Sequence, residues 1–339
     1  MRDLWFLGAA IVGLTVGCTS QAQNEVVVYT ALDSEFSQPI LRRYETETGV
    51  PVRAKFDVEA NKTLGLTQEI IAEADRPRCD VFWNNEILNT LRLEERGLLE
   101  AYPPKMAAAY PPLFRSSKDT WHGFAARARV LLVNTEAVGD GERPGSLYDL
   151  ADEKWRGKGG LAKPLFGTTA THVACLFAYL GDEKARQLLD EIKANEAQVF
   201  PGNKQVAQAV SSGQVVFGLT DTDDAMGEIE AGHPVEIVYP DQQDDGLGTL
   251  FIPNTLAIIK GSPHAEEARK LVDHLLTPEI EVELANGPSA QIPLSGDVDV
   301  ELRVETPRTV RAMEVDFYQA ADKWDVAART ARDVFARAD

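Results

Sequence analysis

The sequence predicts an α/β fold of two lobes, joined by two long crossing strands that serve as a hinge. Short β-branched or aromatic runs alternate with segments whose apolar residues recur three or four apart, the pattern of strands packed beside amphipathic helices. Two strand-like stretches, residues 123–135 and 249–260, are longer than the others and separate blocks of such elements. The chain of 339 residues also has the length of two ordinary domains.

The elements follow in order. Residues 25–30, EVVVYT, read as a buried strand. Phe36, Ile40, Leu41 and Tyr44 then recur at helical spacing, and Gly49 ends that helix. Residues 50–56 are a second strand, and Leu64, Leu66, Ile70 and Ile71 mark the next helix. Residues 79–83, CDVFW, are a third strand, followed by a helix over 87–96 closed by Gly97. After the long strand at 123–135 come a strand at 160–163 and helices at 169–180 and 183–195. A strand at 197–200, a helix at 204–212, a strand at 215–220, a helix at 222–231 and a strand at 235–239 complete that block. The second long strand precedes helices at 265–276 and 278–286, and the tail 307–339 is helical in pattern. If both long strands cross, lobe one is discontinuous, 25–126 plus 249–288, and lobe two is 127–248 plus 289–339. A pair of crossing segments is what a hinge requires.

Composition narrows the role. With 44% hydrophobic and 26% charged residues the chain has the make-up of a globular protein. A net charge of −19 argues against nucleic acid as a partner, because phosphate binding needs a basic surface. Residues 4–17 form an apolar run too short to span a bilayer comfortably and of the length of a signal-peptide core. It ends in LTVGC at 14–18, which resembles the lipobox of bacterial lipoproteins, with Thr15 where the pattern prefers Leu or Val. The resemblance implies that residues 1–18 are a lipoprotein signal peptide. It implies too that Cys18 is lipidated and that the protein is anchored by lipid to a membrane, periplasmic or at the cell surface. A simple cleaved signal with an incidental cysteine is the competing reading. Cys79 and Cys175 lie far apart in apolar sequence; a disulfide and two buried thiols both remain open, and no zinc spacing is present.

In open α/β sheets, ligands bind beyond the carboxyl ends of the strands. There the sequence places Asp33 after the first strand, Asn84, Asn85 and Glu86 after the third, Phe166–Gly167–Thr168–Thr169 after the strand at 160, and Asp221–Thr222–Asp223–Asp224 after the strand at 215. Asp33 and Ser34, Glu86, and the acids at 221–224 equally suit helix N-termini. Thr168 and Thr169 suit a cap or an anion. Arg127 and Arg129 share a strand face, where they clamp an anion or pair with neighbouring acids. Trp83 and Phe166 suit either the cleft or the core. Of the five histidines, none of which shows metal-ligand spacing, only His172 follows one of these loops.

The order of VVVYTALDSE at 26–35, ETGVPVRAKF at 47–56, DVFWNNEI at 80–87, ARARVLLVNT at 126–135 and the stretch 248–279 resembles the ferric-iron-binding group of periplasmic solute-binding proteins, family 1. The resemblance covers nearly the whole mature chain. It implies the two-lobed type II periplasmic-binding-protein fold and an extracytoplasmic role delivering a ligand to ABC permease subunits. It implies iron(III) or another cation with a small synergistic anion in the cleft. Many iron binders of the family carry two adjacent tyrosines after the strand at 215, and here Asp223 and Asp224 stand as the metal ligands instead. Asp33 falls where some members have His, and Asn85, with Glu86 next to it, where an acidic residue is found. Arg127 with Thr168 and Thr169 falls where members hold the anion, and Asp221 adds to the ligand-binding set. Oxygen ligands suit hard cations. An organic amine or zwitterion, such as a phosphonate or polyamine, is the alternative ligand. A carboxylate hydrolase is a third reading, disfavoured because neighbouring acids rarely flank a scissile bond and because no GxSxG or HExxH motif occurs.

Overall fold

The computed structural model describes residues 24–57, 63–139 and 141–336; Cys18 and the expected signal lie outside them. One half of the molecule is built on β1 (Val26–Thr30), β2 (Val52–Phe56) and β3 (Val81–Asn84), with α1 (Ser34–Thr48), α2 (Leu64–Ala72) and α3 (Leu88–Glu95) between and after them. The strands run parallel in the order β2-β1-β3. Ile40, Leu41 and Tyr44 bury the inner face of α1. Gly49 ends that helix at φ 72, where its N–H returns to the carbonyl of Glu45.

β4 (His122–Asn134) is the central feature, and all thirteen of its residues are buried. Its first half, from His122 to Ala128, pairs antiparallel with β9 (Phe251–Ile258), which in turn pairs with β3. Its second half pairs with β7 (Phe217–Asp221) on one side and β8 (Val235–Val238) on the other. Beyond β7 lie β5 (Gly159–Ala162) and β6 (Gln198–Phe200), both parallel to their neighbours. A strand buried throughout needs partners for its backbone along its whole length. β4 finds them in two different half-sheets, as expected of a crossing strand.

Between the two halves the register of β4 shifts, from Phe124 to Arg127. Ala125 adopts φ 43, in the left-handed region that side chains disfavour. The surroundings hold it there. Its N–H donates to Glu281 Oε1 at 2.7 Å, and its carbonyl accepts from Asn254 Nδ2. The other Glu281 bonds come from the N–H groups of Leu294 and Ser295, both at 2.8 Å. Ala126 exchanges backbone hydrogen bonds with Ile292.

The second half is completed by α4 (Gly167–Leu180), α5 (Asp182–Ala194), α6 (Asn203–Ser211) and α7 (Thr222–Glu230). Gly218 of β7 lets α6 lie unusually close, since a Cβ there would sit 2.4 Å from Val206 Cγ1. α8 (Ala265–Leu275) returns against β1 and β9, and α9 (Pro278–Asn286) packs on β4.

Several elements depart from the sequence reading. The second crossing strand is shorter than 249–260: Thr249 instead bridges Ala312 and hydrogen-bonds its neighbours. The tail is not helical from 307. It runs without helix to α10 (Phe317–Asp322) and α11 (Trp324–Ala331), which pack on α4, while α10 also reaches α3. Tyr318 donates to Glu94 there, and Arg92 stacks over Trp324. The tail therefore touches both halves. Trp83 is core, fully buried against Phe124. Cys79 and Cys175 are separate buried thiols, and burial pushes the pKa of each upward.

Candidate ligand-binding site

The carboxyl ends of β1, β3, β5 and β7 converge on one cavity of ≈ 350 Å³. Asp33 and Asn85 reach it from one half, and Thr168, Thr169, Asp221, Asp223 and Asp224 from the other, with Arg127 between them. Glu86 does not line it. Its carboxylate is fully buried and caps α3, accepting from the N–H of Leu88 at 2.6 Å and of Asn89 at 3.0 Å. It also takes Asn84 Nδ2 at 2.9 Å and Thr171 Oγ1 of α4 at 2.8 Å. The helix-cap reading of Glu86 thus describes its contacts, and its bond to Thr171 ties the two halves together.

The other acids behave differently. Asp33 and Asp221 occupy N-cap positions of α1 and α7, yet neither side chain caps its helix. Asp221 is the last residue of β7 and faces Arg129 directly across the antiparallel pair with β4. Strand pairing alone therefore sets a carboxylate beside a guanidinium. Arg129 Nη1 donates to Asp221 Oδ1 at 2.6 Å and lies 3.3 Å from Thr168 Oγ1 and 3.1 Å from Asn203 Oδ1. Its Nη2 donates to Thr169 Oγ1 at 3.1 Å. Asp221 Oδ2 accepts from Thr168 Oγ1 at 2.6 Å and Asn203 Nδ2 at 2.9 Å. Gly167, at φ 60, turns the chain so that both threonines enter the first turn of α4 on this cluster.

Arg127 bridges the acids and the opposite half. Its Nη1 lies 3.3 Å from Asp223 Oδ2 and 3.5 Å from Asp221 Oδ2, and its Nη2 donates to the carbonyl of Asn85. Burial opposes its charge, but Asp223 and Asp221, then Asp224 and Asp33, outweigh that and raise its pKa. For Asp221 burial again opposes the charge, and Arg129 and Arg127 outweigh it, holding the carboxyl below its usual range. Asp221 is thus held as the carboxylate, buried beside the two guanidinium groups. One oxygen from each of Asp221, Asp223 and Asp224 lies within 4.8 Å of the others, a spacing compatible with a shared cation. The Nε atoms of both arginines, and Asn85 Oδ1, are buried without a partner among the described residues.

Asn203 went unnoticed in the sequence, yet it bonds Asp221, Thr168, Thr169 and Arg129. It follows β6, so the strand-end rule applied to that short strand singles it out. Lys163, Lys204 and Glu35 also line the cavity, and Lys204 meets Glu35 across it at 3.5 Å. His172, buried in α4, has its pKa lowered to about 3 by burial and by the charge of Arg129.

A two-half α/β body with a polar cleft at its strand ends is the architecture of a binding protein, and the chain belongs to the bacterial extracellular solute-binding proteins, whose family model matches residues 89–320. Among its relatives, the iron uptake protein A1 of a Synechocystis species is 24% identical over 79% of this chain and 75% of its own. The major ferric iron-binding protein of Neisseria meningitidis is 22% identical over 93% of this chain and 94% of its own. The crystal structure of iron-bound HitA from Pseudomonas aeruginosa superposes with a TM-score of 0.82 over 92% of this chain and 99% of that one, at 24% identity. That likeness establishes the type II periplasmic-binding-protein fold. No helix among the described residues is long and apolar enough to cross a membrane.

Proposed function

We propose that the protein is the extracytoplasmic substrate-binding component of an ABC importer and captures a metal cation, ferric iron foremost, in this cavity. The observation that carries the reading is the convergence of Asp221, Asp223 and Asp224 within 4.8 Å, with Asp33 lining the same cavity from the opposite half. Hard oxygen donors from both sides suit a hard cation, and closure of the two halves over it would exclude water. The relatives' names, an iron uptake protein and a ferric iron-binding protein, agree with this class. Residues 25–126 plus 249–288 would move against 127–248 plus 289–339, about the irregular stretch of β4 and its partner β9. ABC permease subunits would receive the cargo, and acyl chains on Cys18 would hold the protein at the membrane.

An organic amine is the second reading, because the cavity holds the volume of roughly ten waters, more than a single ion needs. Phe166 lines it, and Asn85 Oδ1 awaits a donor.

Native mass spectrometry of the protein as isolated, followed by calorimetry with ferric nitrilotriacetate, separates the two. Iron in the purified protein, and affinity at least tenfold weaker in an Asp223→Ala/Asp224→Ala variant, is the expected result. A bound organic solute together with no heat from any metal overturns the metal reading. Cys18→Ser should move the protein from the membrane fraction to the soluble one; unchanged anchoring refutes lipidation.

A further inference from the structure

We infer that Asp221 is a built-in anion. Its carboxylate fills the basic subsite formed by Arg127, Arg129, Thr168 and Asn203, so the cavity takes a cationic ligand without a small anion beside it. The inference rests on the reading of this cavity as the capture site. It narrows the ligand to one that brings no phosphate or carboxylate group to that corner.

Both oxygens of Asp221 are engaged by the groups an incoming anion would seek. Oδ1 takes Arg129 Nη1 at 2.6 Å, and Oδ2 takes Thr168 Oγ1 at 2.6 Å and Asn203 Nδ2 at 2.9 Å, with Arg127 Nη1 at 3.5 Å. Bidentate capture of a phosphate or carboxylate needs two adjacent guanidinium nitrogens. Here every Nη atom of both arginines already has an acceptor, and only the Nε atoms do not. The carboxylate comes from the backbone register of β7 on β4, opposite Arg129, and is 1% exposed. It is a fixed part of the wall. A second anion in that corner would also meet the like charges of Asp221 and Asp223 at close range. An oxygen of Asp221 still lies within 4.8 Å of oxygens of Asp223 and Asp224, which are the acids left to face a cation.

Inorganic phosphate alone tests this. In calorimetry and thermal melting, the wild type should give no phosphate binding and no phosphate-dependent rise in Tm. Asp221→Ala, which empties the subsite and leaves two buried guanidinium groups short of charge, should bind phosphate and melt higher in its presence. If that variant does not fold even in phosphate, Asp221→Asn decides. It keeps the size and loses the charge, and should bind phosphate at least tenfold more tightly than the wild type. Phosphate binding by the wild type that neither variant strengthens, or no phosphate binding by a folded variant, overturns the inference. Ferric iron titrated with and without phosphate should give the wild type the same affinity within about twofold, and a variant that still takes iron should depend on the anion. Absence of iron binding in every buffer would remove the proposed ligand and leave the phosphate comparison standing, so the two failures are distinguishable.

Discussion

Acidification should destabilise this protein through His172. The imidazole is 5% exposed in α4, and its pKa is lowered from an ordinary 6.5 to about 3, first by burial and then by the positive charge of Arg129. Between those two values the unfolded chain holds a proton on this ring that the native chain lacks. Stability therefore falls as the pH falls, by about 1.4 kcal/mol for each pH unit descended within that window. From pH 7 to pH 5 the loss through this one residue is about 2 kcal/mol, because the first half-unit lies above 6.5, where neither state is fully protonated. Urea unfolding of the wild type and of His172→Gln at both pH values isolates it, since the other titrating groups are common to the two proteins. The wild type should lose about 2 kcal/mol more than the variant. Equal losses, within a few tenths of a kcal/mol, would refute the argument that this ring is held neutral by its surroundings.

Three further outcomes follow from the same contacts. Arg129→Met leaves the buried Asp221 without its closest cation and should cost about 3–5 kcal/mol in denaturant unfolding, as breaking one side of a buried ion pair does. Glu281→Ala removes the acceptor of three backbone N–H groups around Ala125. It should cost about 3 kcal/mol or more, and raise hydrogen exchange selectively at Ala125, Leu294 and Ser295; a uniform change along the chain would contradict a local role. Cys79 and Cys175 should be unreactive toward a thiol reagent in the native protein and both react in denaturant without reductant; a disulfide between them would leave them silent.

Much of this architecture was legible in the sequence because it is written in local patterns. β1, β3 and the helices between them follow from β-branched runs and three-to-four spacing, and the polar residues after those strands lead to the cavity. What stayed hidden depends on partners far along the chain. Asp221 reads as a loop residue after a strand ending at 220, yet pairing with Arg129 extends β7 by one residue and turns the side chain onto β4. No periodicity reports that register. Glu86 looks like a cleft acid, but the N–H groups of Leu88 and Asn89 and the hydroxyl of Thr171 claim it. The tail at 307–316 carries enough apolar residues to suggest a helix. A turn at 307–309 and the contacts of residues 311–313 with Thr249 and Gln242 replace it.

The position of β9 between β3 and β4 has a consequence for how the chain is made. The first half-sheet is interrupted in the order of synthesis: β1, β2 and β3 emerge early, but the strand that joins them to β4 arrives only with residues 251–258. Until then β3 presents an open edge, and the wall bearing Asp33 and Asn85 is not aligned with the wall bearing Asp223 and Asp224. A chain made from its N-terminus thus lacks the joining strand, and the two walls of the cavity lack their alignment, until about three quarters of it has been made.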